Sequence, residues 1–333
     1  MKNRIIIIAE IGVNHNGDIN LAKKLIKKAV DTGADFIKIQ LYNSKNLVTE
    51  KAKKADYQKI LNEPNSQFKM LKKYEVNEKF FYILKKFCKK VKANLLVSPF
   101  DLKSIELLKQ NKFKYVKVPS GEINNYPYLC EIGKLKSKIF LSTGMATFKE
   151  IDKSLKVLKK NGLKNKDISL LHCTTSYPTE YNEVNLNVIS EMKKKYNLKI
   201  GFSDHTQGWE VAIASAALGA EIIEKHFTLD RNLEGPDHSV SLEPKDFKFM
   251  VKQIRNIELA LGSKIKKPTK SELKNIVHVR KSIYANKAIK KGEKFTINNM
   301  ITKRPARGIS AMEWPALINK RAKKNYKKDQ LIK

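Results

Sequence analysis

Apolar residues recur along the chain in short β-branched runs, and each run is followed by a stretch with helical spacing. Residues 5–10, 36–40, 94–98, 115–118, 139–142, 169–172, 198–203 and 221–226 read as strands. Amphipathic stretches near residues 18–32, 78–91, 149–160, 186–196, 207–218 and 244–261, with shorter ones from 101 and near 126, read as the helices between them. In the first of these, Leu21, Leu25, Ile26 and Ala29 fall on one face. An open doubly wound sheet shares this alternation. Two features favour a closed α/β fold, the (β/α)8 TIM barrel: there are eight units, and polar residues stand at the strand ends. These are Glu10, Gln40, Ser98, Ser120, Ser142, His172, Ser203 and His226. In a barrel such ends converge on one mouth.

The texture changes after Leu261. A polar stretch containing Pro268 reads as a linker, and the last fifty or so residues show short strands and turns. The expected organisation is a catalytic barrel over 1–264, a linker over 265–281 and a small C-terminal domain over 282–333.

Composition narrows the function classes. The chain of 333 residues carries 67 Lys+Arg against 33 Asp+Glu, a formal charge of +34, which first suggests a polyanionic partner such as nucleic acid. Only seven of the basic residues are arginine, and the lysines are spread along the whole length, a pattern of solvated surface rather than of a nucleic-acid reader. Cys88, Cys130 and Cys173 have no paired spacing, so a disulfide framework is not expected and a cytoplasmic setting is. No apolar run approaches a membrane span.

Several residues at the expected mouth carry chemistry. His205 and His226 close the seventh and eighth strands, which neighbour each other in a barrel, with the carboxylates Asp204, Glu224 and Asp237 close by in sequence. Two neutral imidazoles there can hold a divalent metal. Glu10 ends an apolar strand, where a carboxylate is costly unless it is paired with a lysine or poised to move protons; the second reading is favoured. Lys38 and Lys117 lie within strands two and four. With Ser120, Ser142 and Ser203 they offer charge and hydroxyl donors to a phosphate or carboxylate. Cys173 reads as core. His15 either binds substrate or caps the helix that follows it.

Taken together, the chain resembles the sialic acid synthase family, in the bacterial branch that includes legionaminic acid synthases. The matching motifs are Ala9-Glu10-Ile11-Gly12-Val13-Asn14-His15-Asn16-Gly17-Asp18, Pro119-Ser120-Gly121-Glu122, Leu141-Ser142-Thr143-Gly144-Met145, Gly201-Phe202-Ser203-Asp204-His205-Thr206, Glu224-Lys225-His226-Phe227-Thr228-Leu229-Asp230, Gly235-Pro236-Asp237-His238 and Lys303-Arg304-Pro305. The resemblance implies that the small domain is an antifreeze-like (SAF) module and that the enzyme is a domain-swapped homodimer. It implies a divalent cofactor, Mn2+ first and Mg2+ or Co2+ as alternatives, held by His205 and His226, with Glu10 as the essential carboxylate. Phosphoenolpyruvate would be held by Lys38, Ser98, Lys117, Ser120, Ser142 and Ser203. The sugar would meet Gln40, Glu122, Thr175, Tyr177 and Asp237, with Arg304 reaching in from the partner subunit. Two departures stand out: Ser98 replaces a threonine of the family's Ser-Thr-Pro-Phe, and Thr175 stands where some members carry asparagine.

The implied reaction condenses phosphoenolpyruvate, an N-acylated amino sugar and water into a nonulosonic acid and phosphate. The first expectation is an N-acetylneuraminate synthase acting on N-acetylmannosamine. The alternative is an N,N'-diacetyllegionaminate synthase acting on 2,4-diacetamido-2,4,6-trideoxymannose, and Tyr57-Gln58, residues 182–186 and Leu229-Asp230 carry the likeness to the branch holding both. A basic nucleic-acid-associated protein is the rival from another class. A two-His metal hydrolase is disfavoured because Glu10 stands where such enzymes place a His-x-His.

Overall fold

The computed structural model describes residues 4–54 and 66–333, so Tyr57 and Gln58 lie outside the described residues. They form two compact units, one through Gly262 and one from Ser263 onward. In the first, the chain runs β1 (Ile6–Gly12), α1 (Ile19–Asp31), β2 (Phe36–Leu41), α2 (Ser44–Leu47), α3 (Gln67–Tyr74), α4 (Glu78–Lys90), β3 (Leu95–Pro99) and α5 (Leu102–Gln110). It continues through β4 (Tyr115–Val118), α6 (Tyr126–Lys134), β5 (Lys138–Ser142), α7 (Phe148–Lys160), β6 (Ile168–His172), α8 (Asn187–Lys195), β7 (Lys199–Asp204), α9 (Glu210–Ala217), β8 (Ile222–His226) and α10 (Pro244–Ala260). The eight strands pair in parallel and close, β8 returning to β1 with Glu10 opposite His226. The expected TIM barrel is therefore the fold.

Local chemistry explains the elements. Asp18 caps α1 by accepting from the Asn20 and Leu21 amides, and Ala22, Leu25, Ile26 and Ala29 bury its inner stripe. Thr147 and Glu150 form a reciprocal capping box at the start of α7. Side chains alternate along each strand. One set packs outward against the helices, in a core that includes Ile7, Ile37, Val97, Val116, Leu170 and Ile223.

The inward set is layered. Ile8, Phe36, Leu96, Phe140, Leu171 and Ile222 form an apolar plug, with Tyr115 packed on it. Two residues further along those strands stand Glu10, Lys38, Ser98, Ser142, Cys173, Glu224 and Lys117. The polar site is thus the layer directly above the plug, an arrangement that follows from the two-residue period.

The second unit holds α11 (Lys270–Val279), β9 (Ser282–Ala285), β10 (Met300–Lys303) and a short α12 (Trp314–Leu317). The strands pair antiparallel over a core of Ile283, Ala285, Ile289, Phe295, Met300, Ala322, Tyr326 and Ile332. The stretch expected as a linker carries α11, whose Thr269 and Glu272 make a second capping box. Pro268, which marked the expected linker, stands just ahead of that cap. No helix among the described residues is long and apolar enough to cross a membrane.

Candidate active site

A cavity of about 370 Å3 opens at the C-terminal ends of the strands. Its lining includes Lys38, Gln40, Ser98, Lys117, Ser120, Glu122, Ser142, Thr175, Tyr177, Ser203, His205, His226 and Asp237, so residues read separately from the sequence meet in one place. Closure of the barrel is what gathers them.

The charges at its floor form an alternating chain. Lys38 Nζ lies 2.6 Å from Glu10 Oε2 and 2.8 Å from Glu224 Oε1, and Lys117 Nζ lies 3.3 Å from that same Glu224 oxygen. Ser203 Oγ donates to it as well, at 3.0 Å. All four charged groups are buried. Burial lowers the Lys38 ammonium to about 8 despite the opposing pull of Glu224. Burial alone would raise the Glu224 carboxyl, but Lys117 and Lys38 hold it well below the usual carboxylate range.

Glu10, the candidate essential carboxylate, does not line the cavity. It is fully buried, its contact with Lys38 is an ion pair rather than an aligned hydrogen bond, and among the described residues neither oxygen has a hydrogen-bond donor. It fits there because residue 12 is glycine: a Cβ at Gly12, where φ is +36°, would come within 2.4 Å of Glu10 Oε1. Lys38 links the carboxylate to the cavity.

The two histidines stand with ring centroids 5.6 Å apart, and Tyr177 packs 4.2 Å from His205. His205 Nδ1 lies 2.6 Å from the Thr174 carbonyl, which can only accept, so Nδ1 carries the hydrogen and Nε2 keeps its lone pair. His226 Nδ1 is buried with no hydrogen-bond partner among the described residues and lies 3.6 Å from Asp237 Oδ2. Burial lowers His205 to about 4; burial and the neighbouring His205 lower His226 well below its ordinary value. Neutral imidazoles, one with a fixed tautomer and one with an orphaned nitrogen, suit a divalent cation. No group of three His, Cys, Asp or Glu that could hold a metal gathers among the described residues.

Burial raises the Asp237 carboxyl to about 6. Burial also raises Glu122, against the hydrogen bond that Asn125 donates to it at 2.6 Å. Both carboxyls line the cavity. Arg304 lies in the second unit, exposed, directly after β10.

Three readings change. His172 points away from the mouth, its Nε2 bonded to the Val184 carbonyl at 2.8 Å. Cys173 is buried, as a core residue would be, but it faces the cavity, with Sγ 3.2 Å from Ser120 Oγ. Strand alternation puts one inside when the other is outside. His15 is fully buried and accepts from the Gly17 amide at 3.0 Å, so it shapes the turn while Asp18 caps the helix. Two features went unread in the sequence. Glu224 joins Lys38, Lys117 and Ser203 at one oxygen, which its spacing two residues before His226 could have signalled. The apolar side of the cavity, with Val13, Met70, Leu71 and Tyr74, comes partly from α3, and no local pattern reveals where that helix lands.

Comparison with known proteins agrees with this geometry. The NeuB family model matches residues 25–266 and the SAF domain model matches residues 280–333. The chain belongs to the NeuB family. It is an enzyme of the synthase type, a transferase, with a TIM barrel followed by a SAF domain. It is 53% identical over 331 residues to an N,N'-diacetyllegionaminic acid synthase of Campylobacter jejuni, covering 99% of each chain. It is 39% identical to the enzyme of the same name from Legionella pneumophila, over 96% of this chain and 90% of that one. Among solved structures, an N-acetylneuraminic acid synthetase from Leptospira borgpetersenii, in complex with citrate, superposes with a TM-score of 0.73 at 35% identity, covering 82% of this chain and 90% of that one.

Proposed function

We propose that this NeuB-family enzyme is an N,N'-diacetyllegionaminate synthase, condensing phosphoenolpyruvate with 2,4-diacetamido-2,4,6-trideoxymannose and water. The observation that carries this reading is the 53% identity along nearly the full length to a protein of that name. It favours the alternative over the first expectation, N-acetylmannosamine as the sugar.

A divalent cation, Mn2+ first, would be held by His205 and His226, and when bound it supplies Lewis acidity toward the sugar aldehyde. The other roles belong to the chain's own groups. Lys38, Lys117 and the hydroxyls of Ser98, Ser120, Ser142 and Ser203 bind the phosphate and carboxylate of phosphoenolpyruvate and fix its C3 toward the aldehyde carbon. Gln40, Glu122, Thr175, Tyr177 and Asp237 orient the sugar through its hydroxyl and amide groups. After C3 bonds to the aldehyde carbon, water adds at C2; Lys38 passes a proton to Glu10 and regains one from that water, and the proton held on Glu10 balances the one that the former aldehyde oxygen takes up to become a hydroxyl. Cleavage of the C2–O bond releases phosphate and leaves the 2-keto acid. A swapped dimer, with Arg304 of the partner subunit completing the sugar site, belongs to the same reading.

The test is phosphate release from phosphoenolpyruvate with each sugar in parallel, before and after chelation. A kcat/KM higher for the diacetamido sugar, lost on chelation and restored by Mn2+, is the expected result. A preference for N-acetylmannosamine would return the reading to a neuraminate synthase.

A further inference from the structure

Glu224 has no part in the binding roles assigned above, yet it is the hub of the cavity floor. Three donors from three other strands converge on its Oε1: Lys38 Nζ of β2 at 2.8 Å, Ser203 Oγ of β7 at 3.0 Å and Lys117 Nζ of β4 at 3.3 Å. Its other oxygen, Oε2, is buried with no hydrogen-bond partner among the described residues. Two ammonium groups held against one oxygen atom repel each other, and in a buried site that repulsion is weakly screened. Without a carboxylate between them, Lys38 would turn wholly to Glu10 at 2.6 Å, while Lys117, for which no other acid within ion-pair distance is recorded among the described residues, would lose its anchor.

We propose that Glu224 is a positioning residue: the fixed counter-charge that holds Lys38 and Lys117 together as a single anion-binding pair, and so sets the affinity for phosphoenolpyruvate. It sits one inward position below His226 on β8 and beside Ser203 in the β7–β8 register. It acts through the lysines rather than on the substrate. Glu10, Lys38, Glu224 and Lys117 make a neutral quartet, so the charges at the cavity floor compensate one another. The dianionic or trianionic substrate then meets two ammonium groups already aimed at one place, and little reorganisation is needed on binding.

This inference rests on the reading of the enzyme as a phosphoenolpyruvate-dependent synthase, and the experiment separates the two. Steady-state kinetics are measured on wild type, Glu224→Asp and Glu224→Gln, varying phosphoenolpyruvate and sugar independently, with thermal unfolding of each protein. Wild type that releases no phosphate from phosphoenolpyruvate with either sugar defeats the functional reading itself. With an active wild type, the expected order of KM for phosphoenolpyruvate is wild type, then Glu224→Asp, then Glu224→Gln. The amide variant should be raised by about tenfold or more, as loss of hydrogen bonds to charged groups implies, and the shorter carboxylate by about threefold. KM for the sugar should stay within about twofold, because the pair being positioned is the anion site. A purely structural role would lower the melting temperature and kcat while leaving KM for phosphoenolpyruvate in place, and that outcome overturns the proposal. If Glu224→Gln does not fold, Glu224→Asp against wild type decides by the same criterion. In a Lys117→Met background the effect of Glu224→Gln on that KM should shrink; full additivity would show that Glu224 does not act through the pair.

Discussion

Glu10 and Cys173 show how much a single position depends on what its neighbours leave open. Glu10 ends an apolar strand, which marked it as costly and therefore purposeful, but its direction could not be read from that. The structure hides its carboxylate behind Lys38 and against Gly12, within the floor rather than on its surface. The readings weighed for it, pairing with a lysine and proton transfer, are therefore compatible: Lys38 gives the buried carboxylate a counter-charge and also connects it to the cavity. Replacing Glu10 by Gln should lower kcat by about a hundredfold to ten-thousandfold, the range of positioned proton transfer, while leaving Mn2+ binding intact when followed by electron paramagnetic resonance. Wild-type turnover in that variant would take Glu10 out of the mechanism. Cys173 shows the converse case. A neighbour-by-neighbour reading rightly separated it from His172, and only the barrel's inside and outside decided which of the two faces the cavity.

Elements are legible where one period dominates. The two-residue period placed each strand, and a step of two from the apolar plug leads directly to Glu10, Lys38, Lys117, Ser98, Ser142 and Glu224. Less legible were α2, α3 and α11, which are short or lie in stretches read as loop and linker; α3 rests on packing through Met70 and Tyr74, whereas α11 buries none of its residues and rests on its capping box. The ends of β7 and β8 are fastened by a pair that strand patterning does not reveal. Lys225 Nζ meets Asp204 Oδ2 at 2.9 Å and donates to the Thr206 carbonyl at 2.6 Å, while the other Asp204 oxygen accepts from the Thr206 amide and hydroxyl. Both side chains are wholly buried, and each residue is next in sequence to one of the two histidines. Lys225→Met leaves an uncompensated carboxylate, so it should cost about 3–5 kcal/mol of stability. In a domain of this size that is a melting temperature lower by on the order of ten degrees, measured by calorimetry. An unchanged melting temperature would mean that water or another group replaces the ammonium.

For the whole molecule, the charge of +34 proves a poor guide to function, because among the described residues only Lys38, Lys54, Lys117 and Lys225 are buried lysines and the rest are partly or fully exposed. Three of these four lie on barrel strands, and two of them line the cavity. The proposed swapped dimer makes its own prediction at this scale. Glu10→Gln and Arg304→Ala proteins, each impaired alone, should regenerate about one quarter of wild-type activity after subunit exchange, since half the dimers would be mixed and one of their two sites intact. A mixture that stays as inactive as its components would count against the swap. The sequence alone determined the number of strands, the alternation of faces along each and the residue types two steps above each apolar plug position, because side-chain alternation is a local property of extended backbone, while which face points inward was left to the barrel. Tertiary structure alone decided that Lys38, Lys117 and Ser203 share one oxygen of Glu224, a meeting of positions up to 186 residues apart, because only closure of the barrel brings strands two, four, seven and eight around a common axis.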